Sequence, residues 1–186
     1  MKAQQWVSEQ TTSTILAWQP QLKKIIESSS LTRKIALVGM GHPLRSDDYA
    51  GSYIVKKTIT RAKSKRSDRI LLLDGEDNVE NLITRIAQLE PEHVIFIDAC
   101  EMKEEPGETK LISVTQTSYP FFTTHGVPLK LLAQQLLPKS SVWILAIQPA
   151  STDFGEQLSK EIRAIADSIS NFLVKLLEER GKWIAS

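Results

Sequence analysis

The sequence predicts an α/β fold: a mainly parallel sheet covered by helices on both faces. Three observations carry that prediction. Four short runs, Lys34 to Val38 (KIALV), Arg69 to Asp74 (RILLLD), His93 to Ala99 (HVIFIDA) and Val142 to Gln148 (VWILAIQ), are almost continuously apolar, as strands buried on both faces are. Segments with apolar residues at helical spacing alternate with them, which is the order of a parallel sheet with crossover helices. The first run also leaves through a glycine-punctuated turn, GMGHPLRSDDYAG from Gly39 to Gly51, as strand-to-helix connections do.

Taken in order, Trp6, Ile15, Trp18, Leu22, Ile25 and Ile26 recur at roughly helical spacing, and Ser28, Ser29 and Ser30 close the segment. Pro20 predicts two short helices or one kinked helix there. Residues 1–30 are therefore expected to form an N-terminal helical extension, packed on the core or docking a partner, and residues 31–186 a single α/β domain. After the first strand and its turn, Asp47 to Ala62 carries helical spacing through Tyr53, Ile54, Val55 and Ile59, with Ser46 as the expected N-cap. Val79 to Leu89 is a second amphipathic helix. Pro106-Gly107 marks a tight turn before Thr109 to Thr115, an added or edge strand. Val127 to Leu137 reads as a helix, and Glu156 to Glu179 as a long terminal one.

The bulk properties narrow the function. With 186 residues, 41% of them hydrophobic, the chain can bury a core as one compact domain. A net charge of +1 with well-mixed signs leaves no electrostatic footprint for nucleic acid or an acidic membrane. The most basic stretch, RAKSKRSDR from Arg61 to Arg69, reads as a solvated helix end and loop. A single cysteine, Cys100, excludes an internal disulfide and suits a buried thiol in a reducing compartment. Glu101 beside it argues against a catalytic thiolate. Gln4, Gln5, Ser8, Glu9 and Gln10 interrupt any signal-peptide core, and no apolar run approaches the ~20 residues of a membrane span. The expectation is a soluble cytoplasmic protein.

In open α/β sheets the functional crevice lies beyond the carboxyl ends of the strands. Asp48 follows the first strand, Asp98 ends the third, and His125 stands in the loop TTHGVP after the added strand. Two carboxylates and an imidazole form an O/N set suited to zinc or nickel, with a position left open for water or substrate. Each residue also has a plainer role. Asp47 and Asp48 suit a helix N-terminus; for Asp48, cap and ligand are equally consistent with its position. Asp98 needs a partner to be tolerated in an apolar strand. His125 is a ligand or a helix cap, His93 a surface residue, and His42 either a fourth donor or a hydrogen-bonding turn residue. The glycine turn lacks the third glycine of a dinucleotide fingerprint and the Gly-Lys-Ser/Thr of a P-loop. No serine stands in a Gly-x-Ser-x-Gly elbow.

Five segments, GMGHPLRSDDYAG, LLDGEDNVENL, VIFIDACEMKEEPGE, TTHGVPLKLLAQQL and ILAIQP, resemble in order and spacing the nickel-iron hydrogenase maturation endopeptidases. The Thr-Thr-His-x-x-Pro-Leu and Gln-Pro segments resemble the branch acting on hydrogenase-3-type, formate-hydrogenlyase enzymes. The likeness spans about Ile35 to Leu177. It implies a three-layer sandwich of phosphorylase/hydrolase-like type, with about five strands. It also implies a monomeric peptidase, classed as aspartic-type, that removes a C-terminal extension from the large-subunit precursor of a [NiFe] hydrogenase after nickel insertion.

By motif match the resemblance implies that Asp48, Asp98 and His125 recognise nickel. Asp48 and Asp98 are the catalytic candidates, and Asp47 supports the turn. The nickel is expected to arrive with the precursor, and no organic cofactor is implied. Two residues depart from the family pattern, His42 for a usual asparagine and Tyr49 for a usual glycine, and both could reshape the mouth of the site. The competing functions are a hydrolase of another substrate with its own zinc, and a non-catalytic binder of a metal-loaded partner. Tyr119, Pro120, Phe121 and Phe122 are candidates to line a peptide groove, to anchor the loop carrying His125, or to do both as part of a mobile loop.

Overall fold

The computed structural model describes residues 18–62, 68–76, 79–115, 123–124, 127–155 and 157–181. Five strands form one sheet: β1 (Ile35–Met40), β2 (Ile70–Glu76), β3 (His93–Ala99), β4 (Thr109–Ser113) and β7 (Ser141–Ile147), in the order β2-β1-β3-β7-β4. The first four neighbours are parallel, and β4 adds to the edge antiparallel to β7. A separate two-stranded ribbon pairs β5 (Thr123–Thr124) with β6 (Val127–Pro128). The helices are α1 (Trp18–Ser28), α2 (Ala50–Arg61), α3 (Val79–Gln88), α4 (Leu129–Gln134) and α5 (Lys160–Gly181). The predicted α/β fold and its edge strand are observed.

Both faces of the sheet are covered because both alternating sets of strand residues are apolar. Ile35, Leu37, Ile95, Ile97, Leu145 and Ile147 point to one face, where Leu22 and Ile26 of α1, Ile54 of α2 and Ile162 and Leu173 of α5 cover them. Ala36, Val38, Met40, Val94, Phe96 and Ile144 point to the other, against Ile83 and Ile86 of α3. Trp18 is 3% exposed and sits edge-on to Phe172 at 5.1 Å. So Trp18 faces the core, at the 3.6-residue period that also buries Leu22 and Ile26. Pro20 lies in the first turn of α1, where its missing N–H costs nothing. Trp6 and the rest of the expected N-terminal helix lie outside the described residues.

Several boundaries differ from expectation. The helix expected from Asp47 begins as a 3-10 turn, Ser46–Tyr49, and becomes α-helical only at Ala50. Ser46 makes no capping bond and has a positive φ of 43°. The helix expected over Val127 to Leu137 is only Leu129–Gln134, because Val127 and Pro128 pair in the ribbon. The terminal helix starts at Lys160 rather than Glu156; Ser159 Oγ accepts the N–H of Ile162 at 3.4 Å and caps it. His93 is not a surface residue: its side chain is 14% exposed, and Nδ1 accepts the indole N–H of Trp143 at 3.4 Å. Burial lowers its pKa, which favours the neutral ring that such a bond requires.

Candidate active site

From β1 the chain crosses to β2 on one side, and from β2 it returns past β1 to β3. In open α/β sheets such a reversal is where the functional crevice lies, which here is the carboxyl ends of β1 and β3. Asp48 follows β1 and Asp98 is the penultimate residue of β3, so the two meet at the switch point. Gly51 makes the approach possible. A Cβ there would lie 1.9 Å from the Ile97 carbonyl oxygen and 2.5 Å from that of Met40. Only glycine lets α2 begin this close to both strands.

The turn between them is held from two sides. Within it, the His42 N–H donates to Asp48 Oδ2 at 2.8 Å, and the Asp48 N–H donates to the Arg45 carbonyl at 3.0 Å. From outside, the Ser46 N–H donates to the Gly155 carbonyl at 2.7 Å and the Gly155 N–H to the Leu44 carbonyl at 2.9 Å. These tertiary bonds hold Ser46 at its unfavourable φ. His42 Nδ1 accepts the Leu44 N–H at 3.1 Å. That bond gives His42 the hydrogen-bonding turn role that its position allowed.

Asp47 is fully buried, and its contacts replace the helix-dipole role expected for it. Oδ2 accepts the N–H groups of Ala150 and Ser151, each at 3.0 Å, and Oδ1 accepts that of Ser159 at 2.6 Å. The carboxylate thus ties the turn to the loop entering α5. Its neighbour Asp48 is half-buried, and among the described residues Oδ1 accepts no hydrogen bond. Tyr49 packs edge-on to Tyr53 at 6.4 Å with the Lys56 ammonium 5.3 Å from its ring centre.

Asp98 is 5% exposed, and no cation pairs with it among the described residues. Burial first, and then the charge of Asp48, hold its pKa well above the ordinary carboxylate range. A carboxyl that keeps its proton beside a second carboxylate suits acid–base chemistry. Cys100 lies beside them, with Sγ donating to the Asp98 carbonyl at 3.8 Å. Burial, then the charges of Asp98 and Asp48, push its thiol up, a stronger cause than the neighbouring Glu101. Cys100 is therefore expected to react with a dithionitrobenzoate reagent at least ~100-fold more slowly in the folded protein than in urea at the same pH. Equal rates would place an accessible thiolate at the site.

Gln148 was visible in the sequence only as part of the ILAIQP motif. It is 4% exposed; Oε1 accepts the N–H groups of Met102 (2.7 Å) and Glu104 (3.3 Å), and Nε2 donates to Glu101 Oε2 and the Pro149 carbonyl, each at 3.2 Å. It fixes the loop that follows Asp98. A glutamine directly after an apolar strand was the available signal.

The structure thus brings Asp48 and Asp98 together. His125 lies outside the described residues, as do Tyr119, Pro120, Phe121 and Phe122. Among the described residues no group of three or more His, Cys, Asp or Glu side chains is arranged to hold a metal.

The sequence profile of the family described as hydrogenase maturation protease matches residues 53–176. The chain belongs to that family. It is a peptidase of hydrogenase maturation. A hydrogenase maturation protease of Methanocaldococcus jannaschii is 30% identical over 153 residues, 79% of this chain and 90% of the relative. The hydrogenase 3 maturation protease of Escherichia coli K12 is 29% identical over 135 residues, 72% and 84% of the two chains. The crystal structure of the [NiFe] hydrogenase maturation protease HycI from Thermococcus kodakarensis superposes with a TM-score of 0.71 at 25% identity, covering 84% of this chain and 98% of that one. The family's fold is the α/β sandwich described above. Among the described residues no helix is long and apolar enough to cross a membrane.

Proposed function

We propose that this peptidase removes the C-terminal extension of the nickel-loaded large-subunit precursor of a [NiFe] hydrogenase of the hydrogenase-3 type, and that it acts as a monomer. The observation that carries the reading is the meeting of Asp48 and Asp98 at the carboxyl ends of β1 and β3, with Asp98 buried and lacking a cationic partner among the described residues. Such a buried acid invites a cation brought by a ligand. The client's nickel, held by its own cysteine thiolates, would be checked by Asp48, Asp98 and His125, an O/N donor set that suits a divalent first-row metal. A metal-free precursor lacks that contact and is left uncut.

Hydrolysis needs a base for the attacking water and an acid for the departing amine. Asp48, held through Oδ2 and with no bond to Oδ1 among the described residues, suits the first role. Asp98, held above the usual carboxylate range by burial and by Asp48, would give up its proton as the client's metal arrives, and that proton would serve the second.

Purified protein should shorten nickel-loaded precursor and leave nickel-free precursor intact, as weighed by mass spectrometry. Cleavage of both forms would remove nickel from recognition. A purified enzyme carrying stoichiometric zinc and cutting another substrate would favour a resident-metal hydrolase, and binding without cleavage a non-catalytic module.

A further inference from the structure

Two large apolar side chains stand out of the protein beside the site. Phe154 is 84% exposed and Leu44 39%. They are neighbours although 110 residues separate them in the chain. Arg45 and Gly155 form an isolated parallel bridge, which brings the backbones at Leu44 and Phe154, each one residue before it, together. The Gly155 N–H bonds to the Leu44 carbonyl at 2.9 Å, and the Arg45 guanidinium donates to the Thr152 carbonyl at 3.4 Å.

An exposed phenylalanine on a slack loop would mean little, since such a loop can fold its ring away. This loop is anchored. The Asp47 carboxylate takes the N–H groups of Ala150, Ser151 and Ser159, and the Asp47 N–H donates to the Ser151 carbonyl at 3.1 Å. Ser151 Oγ closes the turn by accepting the Asp153 N–H at 3.1 Å. The backbone on both sides of Phe154 is therefore fixed, and it presents the ring to solvent.

The pair is continuous with the active-site turn. Leu44 donates its N–H to His42 Nδ1, and the His42 N–H holds Asp48 Oδ2. The Arg45 carbonyl accepts the Asp48 N–H. Leu44 thus belongs to the same hydrogen-bonded turn as Asp48, so a polypeptide held at Asp48 would have this pair beside it. At Gly155 the two segments come close enough that an added Cβ would lie 2.6 Å from Ser46 Oγ.

We propose that Leu44 and Phe154 form a preorganised apolar ridge that docks an apolar stretch of the client polypeptide next to the bond that is cut. The inference rests on the proposed client, and its ligand is the protein chain rather than the metal. A rigid aromatic anchor loses little conformational freedom on binding, which is how a few exposed side chains dominate an interface.

The test measures binding of nickel-free large-subunit precursor by titration calorimetry to the full-length protein and to Phe154→Asp, Phe154→Leu and Leu44→Asp. Nickel-free precursor is not expected to be cut, so docking is read separately from recognition of nickel and from hydrolysis. Each aspartate variant should weaken binding about tenfold or more with an unchanged melting temperature, and Phe154→Leu should restore most of it. Precursor affinity equal in wild type and Phe154→Asp, or absent in both, overturns the ridge. If the aspartate variants bind weakly but wild type cuts precursor regardless of nickel, the ridge stands and the nickel reading fails.

Discussion

Replacing Asp98 with asparagine is expected to stabilise the folded protein near neutral pH while cutting processing by at least about 100-fold. The two effects have one origin. Asp98 is buried at the end of a parallel strand, paired in register with Ala146 of β7, beside the charge of Asp48. Its folded pKa is raised, so the folded state binds a proton more tightly than the unfolded chain. That contribution is fully present below the unfolded pKa of about 3.9 and is lost as pH rises through the folded value. The amide of the Asp98→Asn variant has no such proton to lose. The stability of Asp98→Asn relative to wild type should therefore grow from about pH 4 upward and reach about 1–3 kcal/mol, measured by urea denaturation at several pH values. Parallel pH profiles for the two proteins would contradict an uncompensated buried carboxylate. The same variant, assayed by the mass of precursor after incubation, tests the catalytic side. A stable, folded and inactive protein is the signature of a group kept for chemistry at the expense of the fold.

The sheet was legible in the sequence because its strands are apolar on both faces, and that pattern excludes most arrangements other than a covered parallel sheet. His93–Ala99 was placed to the residue, since a polar residue and a cysteine bracket the run. The turn after β1 was legible only in part. Its glycines and aspartates announce a functional connection, but Ser46 caps nothing, and its positive φ is set by Gly155, more than 100 residues away. The same distant loop decides what Asp47 does. Local rules assign both aspartates to a helix start; tertiary bonds to residues 150–159 separate them. Helix limits failed for the same reason at Val127 and Glu156, where ribbon pairing and the Ser159 cap override local spacing. The role of Gln148 escaped notice because a polar residue directly after an apolar strand signals a need for partners without naming them, and Met102, Glu104 and Glu101 lie more than 40 residues away in the chain.

Asp47→Ala is expected to cost about 3–5 kcal/mol of stability, because three backbone N–H groups lose their acceptor at once. Asp47 is fully buried, and its bonds to Ala150, Ser151 and Ser159 run between segments far apart in the chain, so no local rearrangement of the turn replaces them. Asp47→Asn should cost less. An amide oxygen at the Oδ2 position keeps the bonds to Ala150 and Ser151, while its NH2 group opposes the Ser159 N–H and loses the third. Denaturant midpoints that rank wild type above Asp47→Asn, and Asp47→Asn above Asp47→Ala, would support this, and an alanine variant within about 1 kcal/mol of wild type would refute it. Asp48→Asn supplies the contrast. Asp48 is half-buried, and among the described residues Oδ2 accepts from the His42 N–H, a bond that an amide oxygen can still take. Its stability should change little while processing is lost. Adjacent aspartates, each next to the other in sequence and both on the same 3-10 turn, should then sort into opposite classes: one whose loss unfolds the platform under Leu44 and Phe154, and one whose loss leaves that platform standing with nothing to cut.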